Sequence, residues 1–165
     1  MKSISSTSAW YVLTTVISGT NPAYLQLEST AQANSGTFTS TSTTFTNFAY
    51  GGDTIAYCFH SVSGYSKIGS YSGTAASGNS IVTGFAPAFI LFKRTDAGDR
   101  WLIADTKRAD RLTDMDDFLD PQDAAAEGSF GATNGINFLN NGFSINTTDG
   151  VLNASGGTYI YMAIA

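Results

Sequence analysis

The chain has one cysteine, one histidine and only 3 prolines in 165 residues. A lone Cys58 excludes an intrachain disulfide and any multi-cysteine metal site. A lone His60 leaves nucleophile–base catalysis a single imidazole to work with. Charge is scarce too: 13% of residues are Asp, Glu, Lys or Arg, against roughly 25% in a typical soluble domain. The net charge of −5, with 8 Lys and Arg in all, argues against nucleic-acid binding, because neutralising phosphates takes clustered basic side chains. No stretch approaches the roughly 20 apolar residues of a helical membrane span, and no membrane partner is expected. Met1–Ser8 carries one lysine and no apolar core, so it does not read as a signal peptide. Work outside the cell would then require another exit, such as release of assembled particles by lysis.

What is present is glycine (17 residues), aromatic side chains (13%) and many Ser, Thr and Asn. That mixture suits β-sheets whose outer faces are polar but uncharged. WYVLTTVI (Trp10–Ile17) reads as a strand, and YLQLE (Tyr24–Glu28) alternates apolar and polar residues with the period of a half-buried one. Ala31–Thr46 is dominated by Ser and Thr, with Phe38 and Phe45 as its large apolar residues, and is expected to form an ordered hairpin rather than a glycosylated stalk. DTIAYCFHSV (Asp53–Val62) is the best strand of the first half, with Cys58 a small buried residue within it. GYSKIGSY (Gly64–Tyr71), Ser80–Thr83, Ala86–Lys93 and Trp101–Asp105 follow, the last two joined by a turn at TDAGD. Asp105–Glu127 then holds 8 carboxylates against 3 basic residues, with Pro121–Glu127 its one helical piece. GINFL, FSINT and GTYIYMAIA close the chain as short strands. The expected fold is all-β, an antiparallel sandwich of jelly-roll or lectin-like type, since half-apolar sheets must stack to bury their inner faces.

The halves resemble one another. AWYVLTTV (Ala9–Val16) aligns with RWLIADTK (Arg100–Lys107), NSGTFTS (Asn34–Ser40) with NNGFSIN (Asn140–Asn146), and GDTIAYCFH (Gly52–His60) with GTYIYMAIA (Gly157–Ala165). Residues 1–62 therefore read as an incomplete first repeat and 63–165 as a complete second one, the two forming one compact unit. FILFKRT leads the second copy into its tryptophan, and the first copy shows no such leading strand. The apolar C-terminal strand is expected to invite pairing.

Three chemistries are open to these side chains. A Cys58–His60 dyad has poor geometry, because residues two apart on one strand point the same way. Asp114, Asp116, Asp117 and Asp120 crowd one segment, which suits a solvated acidic loop paired with Lys107, Arg108 and Arg111. The sharper alternative is a Ca²⁺ site, although DMDDFLD lacks the glycine-punctuated spacing of a calcium loop. Glycan binding would use exposed aromatics with polar neighbours. Trp10, Trp101 and Tyr50 are candidates, but the tryptophans sit in apolar strands and default to core. Tyr65 and Tyr71, flanking Lys67, are expected to be exposed and form the candidate glycan site.

GYSKIGSY, TGFAPAFILFKRTDAGDRW, FLNNGF and NASGGTYIYMAIA together resemble an uncharacterised repeat domain of tailed-phage virion and tail-fibre proteins, of the marine-phage type. The resemblance runs from about Trp10 to Ala165, with Ala86 in place of a usual arginine and Ile68 in place of a Phe. It implies a non-enzymatic virion component, a tail-fibre, appendage or capsid-decorating module with no obligatory cofactor. Its expected partners are further copies of itself, as a trimer, other virion proteins and host-surface glycans. The alternative is a lectin-like module of a secreted or surface protein.

Overall fold

The computed structural model describes residues 1–17, 23–36, 38–39, 41, 43–46, 52–108, 117–131 and 135–165. In chain order the first half supplies β1 (Lys2–Ser3), β2 (Tyr11–Thr14), β3 (Ala23–Gln26), β4 (Asn34–Ser35) and β5 (Thr54–Ile55). The second supplies β6 (Ser66–Ser72), β7 (Asn79–Val82), β8 (Phe89–Arg94), β9 (Trp101–Asp105), β10 (Asp117–Phe118), β11 (Gly128–Ser129), β12 (Ile136–Leu139) and β13 (Gly142–Ile145). A single helical turn, α1 (Gly150–Asn153), precedes β14 (Thr158–Ile164).

The fold is an all-β sandwich of antiparallel sheets. One layer runs β6-β14-β8-β9 and the other β12-β13-β7. β14 is central because TYIYMAI is apolar on both faces, and it pairs over its whole length with β6 and from Tyr159 onward with β8. The two-residue period of β8 sends Ile90 and Phe92 inward and Leu91 and Lys93 to the opposite face. Inside, Phe92 meets Phe143 edge-on at 5.4 Å between ring centroids, and Phe143 meets Tyr161 at 5.2 Å. Leu102, Ala104, Ile145 and Leu152 complete this core, each large apolar side chain contributing about 1.5–3 kcal/mol by leaving water.

The outer face of the four-stranded layer is covered by the first half. β2-β3-β4 forms its own sheet, and Leu25 packs there with Trp101 and Ile160. Trp101 Nε1 donates to the Gln26 carbonyl oxygen at 2.8 Å. At the other end, α1 is capped by the Asp149 carboxylate, which accepts from Val151 N at 2.9 Å, satisfying a free donor of the first turn. Asn153, fully buried, donates to the carbonyls of Ala76 (2.9 Å) and Thr147 (2.8 Å) and accepts from Thr74 N (2.8 Å). It fastens the loop after β6 to the helical turn.

Several expectations are corrected. DTIAYCFHSV is a strand only at Thr54–Ile55, because its partner β1 reaches no further than those two residues. Cys58 is consequently exposed rather than buried. Pro121–Glu127 is not helical: the Asp123 carboxylate accepts from Ala125 N, a local bond that diverts the backbone from a helix. Trp10 is only partly buried, stacked on Tyr57 at 6.1 Å with the Lys2 ammonium 5.5 Å from its ring, whereas Trp101 is core. In the Thr-rich stretch, Thr46 N donates to Thr39 O and Thr41 N to Thr44 O, while Phe38 is buried and Phe45 exposed.

Candidate functional site

Several large apolar side chains are exposed where the first half passes the edge of the sandwich. Tyr57 and Phe59 are each 65% exposed and Tyr65 is 59% exposed, with Val62 beside them. Their placement follows from a tight turn. Val62 N and Ser66 N each reach the other residue's carbonyl at 2.9 Å, and Gly64 adopts φ 75 between them, a conformation glycine takes without strain. Ser66 Oγ then holds the His60 carbonyl at 2.9 Å, and Ile68 N donates to Ser61 Oγ at 3.0 Å. These bonds lay residues 60–62 alongside the start of β6. An open groove of about 220 Å³ results, walled by Phe59, Val62, Tyr65, Ile68, Met162 and Ile164.

The predicted glycan residues divide. Tyr65 and Lys67 are exposed on neighbouring parts of this edge. Tyr71 is not, which corrects the expectation. Its ring stacks on Tyr159 with centroids 4.9 Å apart, and its hydroxyl donates to the Leu152 carbonyl at 2.9 Å. Burial pushes the Tyr71 phenol well above its ordinary pKa, because the charged form would lose its hydration. The reason is register: Tyr71 lies opposite Tyr159, on the inward face of β6. Tyr50 lies outside the described residues.

The acidic candidates divide as well. Asp114 and Asp116 lie outside the described residues. Asp117 opens β10, opposite Ser129. Asp120 accepts from Arg100 Nη1 at 3.5 Å, and its other oxygen is buried without a partner. Burial raises its pKa, while the Arg100 charge opposes that rise. Arg108 bridges Asp105 (2.8 Å) and Glu127 (2.9 Å), as a paired acidic segment would have it. Among the described residues no group of three or more His, Cys, Asp or Glu is placed to hold a metal ion. His60 Nδ1 lies 3.1 Å from the Ser61 carbonyl oxygen, which an Nδ1–H tautomer serves.

Sequence reasoning missed Lys93. It is 1% exposed, and its ammonium donates to the carbonyl oxygens of Thr30 (3.1 Å) and Asp99. Burial lowers its pKa to about 8, against the opposing pull of Asp99. The signal was available: a lysine inside FILFKR, at an outward position opposite Trp101. With its ammonium turned onto two backbone carbonyls, Lys93 is a clamp between the halves and presents no nucleophile to solvent.

No curated protein and no solved structure matches the chain. The match to a family covers residues 1–165, and the chain belongs to that family, a domain of unknown function (DUF7483).

Proposed function

We propose that the protein is a non-enzymatic structural component of a phage virion, a tail-fibre, appendage or capsid-decorating module that acts by assembling with copies of itself and other virion proteins. The observation that carries this reading is the open groove walled by the exposed Phe59, Val62 and Tyr65. Isolated apolar residues on a surface are ordinary, but a contiguous group around a groove marks a contact site for another macromolecule. The low charge and hydroxyl-rich surface fit a particle component, and the motif resemblance points the same way. Its setting is the assembled virion outside the cell, and no cofactor is required. The test is solution mass by light scattering over a concentration series. Assembly predicts a mass that is a multiple of 17.4 kDa, a trimer first. A monomer at every concentration overturns the reading.

A second reading, a lectin-like contact with surface glycans, is favoured by one feature. Tyr65 offers an exposed ring two residues from the exposed Lys67, an apolar plane beside a hydrogen-bond donor. Glycan-array binding that falls on Tyr65→Ala supports it. Array silence from the intact protein removes it.

A further inference from the structure

We infer that the bond between Asp120 and Pro121 is a self-cleavage site, at which the Asp120 side-chain carboxyl attacks its own backbone carbonyl carbon and displaces the Pro121 nitrogen. The inference goes beyond the assembly reading and stands without it.

The sequence holds a single Asp–Pro pair, and it lies in a turn gripped from both sides. Asp at the first position and Pro at the second favour the turn itself. Before it, Ile103 N donates to the Leu119 carbonyl at 2.9 Å and Leu119 N to the Ile103 carbonyl at 3.0 Å. After it, the Gln122 side-chain oxygen accepts from Trp101 N at 2.9 Å. Between these, Arg100 Nη1 donates to Asp120 Oδ2 at 3.5 Å. β9 and the residue just before it therefore fix residues 119–122, and Phe118 beside them is core. A fold that holds reacting groups in one orientation removes the entropy cost of bringing them together.

The groups that the cleavage needs meet in this turn. The carbonyl to be attacked, that of Asp120, accepts from Asp123 N at 3.3 Å, a backbone donor placed where negative charge develops as the carbon becomes tetrahedral. The attacking group is spare. Asp120 Oδ1 is buried and has no hydrogen-bond partner among the described residues, whereas an aspartate heading a turn ordinarily engages the backbone two residues on. The leaving group is a proline nitrogen, which carries no hydrogen of its own and departs once it has received a proton. The Asp120 carboxyl supplies that proton. Burial favours its protonated form, with Asp123 and Asp99 acting the same way and Arg100 against.

In the step, Asp120 Oδ1 bonds to the Asp120 carbonyl carbon, the bond from that carbon to Pro121 N breaks, and the carboxyl proton passes to the departing nitrogen. The products are a cyclic anhydride on Asp120 and a secondary amine on Pro121. A water molecule then opens the anhydride, restoring the side-chain carboxyl and leaving another at the new chain end, so the net change is hydrolysis of the peptide bond. The pieces stay joined, because β14 lies in residues 121–165 and keeps its pairing with β6 and β8.

The experiment incubates the full chain at about pH 5, folded and in urea, and follows intact mass over weeks. The folded chain is expected to yield residues 1–120 and 121–165 about tenfold or more faster than the unfolded one, which has the same bond without the fixed turn and the Asp123 donor. Asp120→Asn is expected to stop the cleavage, and Pro121→Ala to slow it to the rate in urea or below. Equal or slower cleavage of the folded chain, earlier cleavage at another bond, or undiminished cleavage in Asp120→Asn overturns the inference. The comparison of folded with unfolded protein uses the natural sequence alone and does not depend on a variant folding.

Discussion

Trp101 Nε1 and the carbonyl oxygen of Gln26 meet at 2.8 Å across 75 residues of sequence. This bond and the packing of Leu25 on Trp101 and Ile160 help hold the small first-half sheet to the sandwich, together with the Lys93 clamp. Trp101→Phe keeps most of the packing and leaves the Gln26 carbonyl with Ser29 N at 3.2 Å as its donor, an expected loss of about 0.5–1.5 kcal/mol. Trp101→Ala adds a cavity and is expected to cost about 3–5 kcal/mol. Urea denaturation of the two variants separates the contributions.

Lys93 makes stability depend on alkaline pH. Its pKa is about 8 in the folded protein and about 10.4 in an unfolded chain. Between those values the unfolded state binds more protons at this site, so stability rises with pH through that window and is flat below it. The buried phenols of Tyr71, Tyr159 and Tyr161, all raised, act oppositely. Above about 10, unfolded tyrosines lose protons that the folded ones keep, and stability falls. Thermal melts across this range are expected to show a maximum at about pH 9–10. Lys93→Met is expected to remove the rising limb and leave the falling one.

Tyr71 and Tyr65 are six positions apart and should respond oppositely to substitution. Tyr71→Phe leaves the Leu152 carbonyl without its donor, an expected loss of about 1–3 kcal/mol. Tyr65→Ala, on the surface, is expected to stay within about 0.5 kcal/mol. Denaturation curves check both, and only the Tyr65 variant is expected to alter surface binding.

Gly142 sits where β13 approaches β7. A Cβ built there would lie 2.0 Å from the Ile81 carbonyl oxygen, backbone that cannot move without parting the ladder. Gly142→Ala is expected to lose more than about 4 kcal/mol. Gly78→Ala is the control: its φ is +88 but nothing lies within 4 Å, so it carries conformational strain alone, about 1–2 kcal/mol. Melting temperatures rank the two.

Cys58, exposed beyond the end of β5, is expected to react completely with a thiol reagent in the native protein. The rate should be close to that in denaturant, which a colorimetric thiol titration measures.

The second half was legible because its strands carry their own partners. The alternation in FILFKR, WLIAD and TYIYMAI reflects faces that are both covered, and burial follows the letters. DTIAYCF has the same letters without the partner, so it forms two residues of ladder where β14 forms seven. β-propensity measures fit to a neighbour, and sequence cannot show whether the neighbour is there. Tyr71 reads as exposed beside Lys67 and among small polar residues, whereas its register opposite Tyr159 decides its face. Nothing in the letters FILFKR shows that Lys93 is buried, because the backbone carbonyls that hold its ammonium come from Thr30 and Asp99, outside its own strand. α1 was missed because four residues are too few to show a helical period.

The bonds around Asn153 bear on how the protein ages in storage. An asparagine deamidates when the next residue's backbone nitrogen attacks its side-chain carbonyl carbon. Here that nitrogen, on Ala154, is engaged with Tyr159 Oη at 2.8 Å, and the carboxamide is held at both ends. Asn141, by contrast, is exposed and precedes Gly142 at the hairpin tip between β12 and β13. Succinimide formation should therefore reach Asn141 well before Asn153. The resulting isoaspartate would disturb the carbonyl that receives Thr83 N at 3.0 Å, loosening β7 from its sheet long before the linkage at Asn153 is touched.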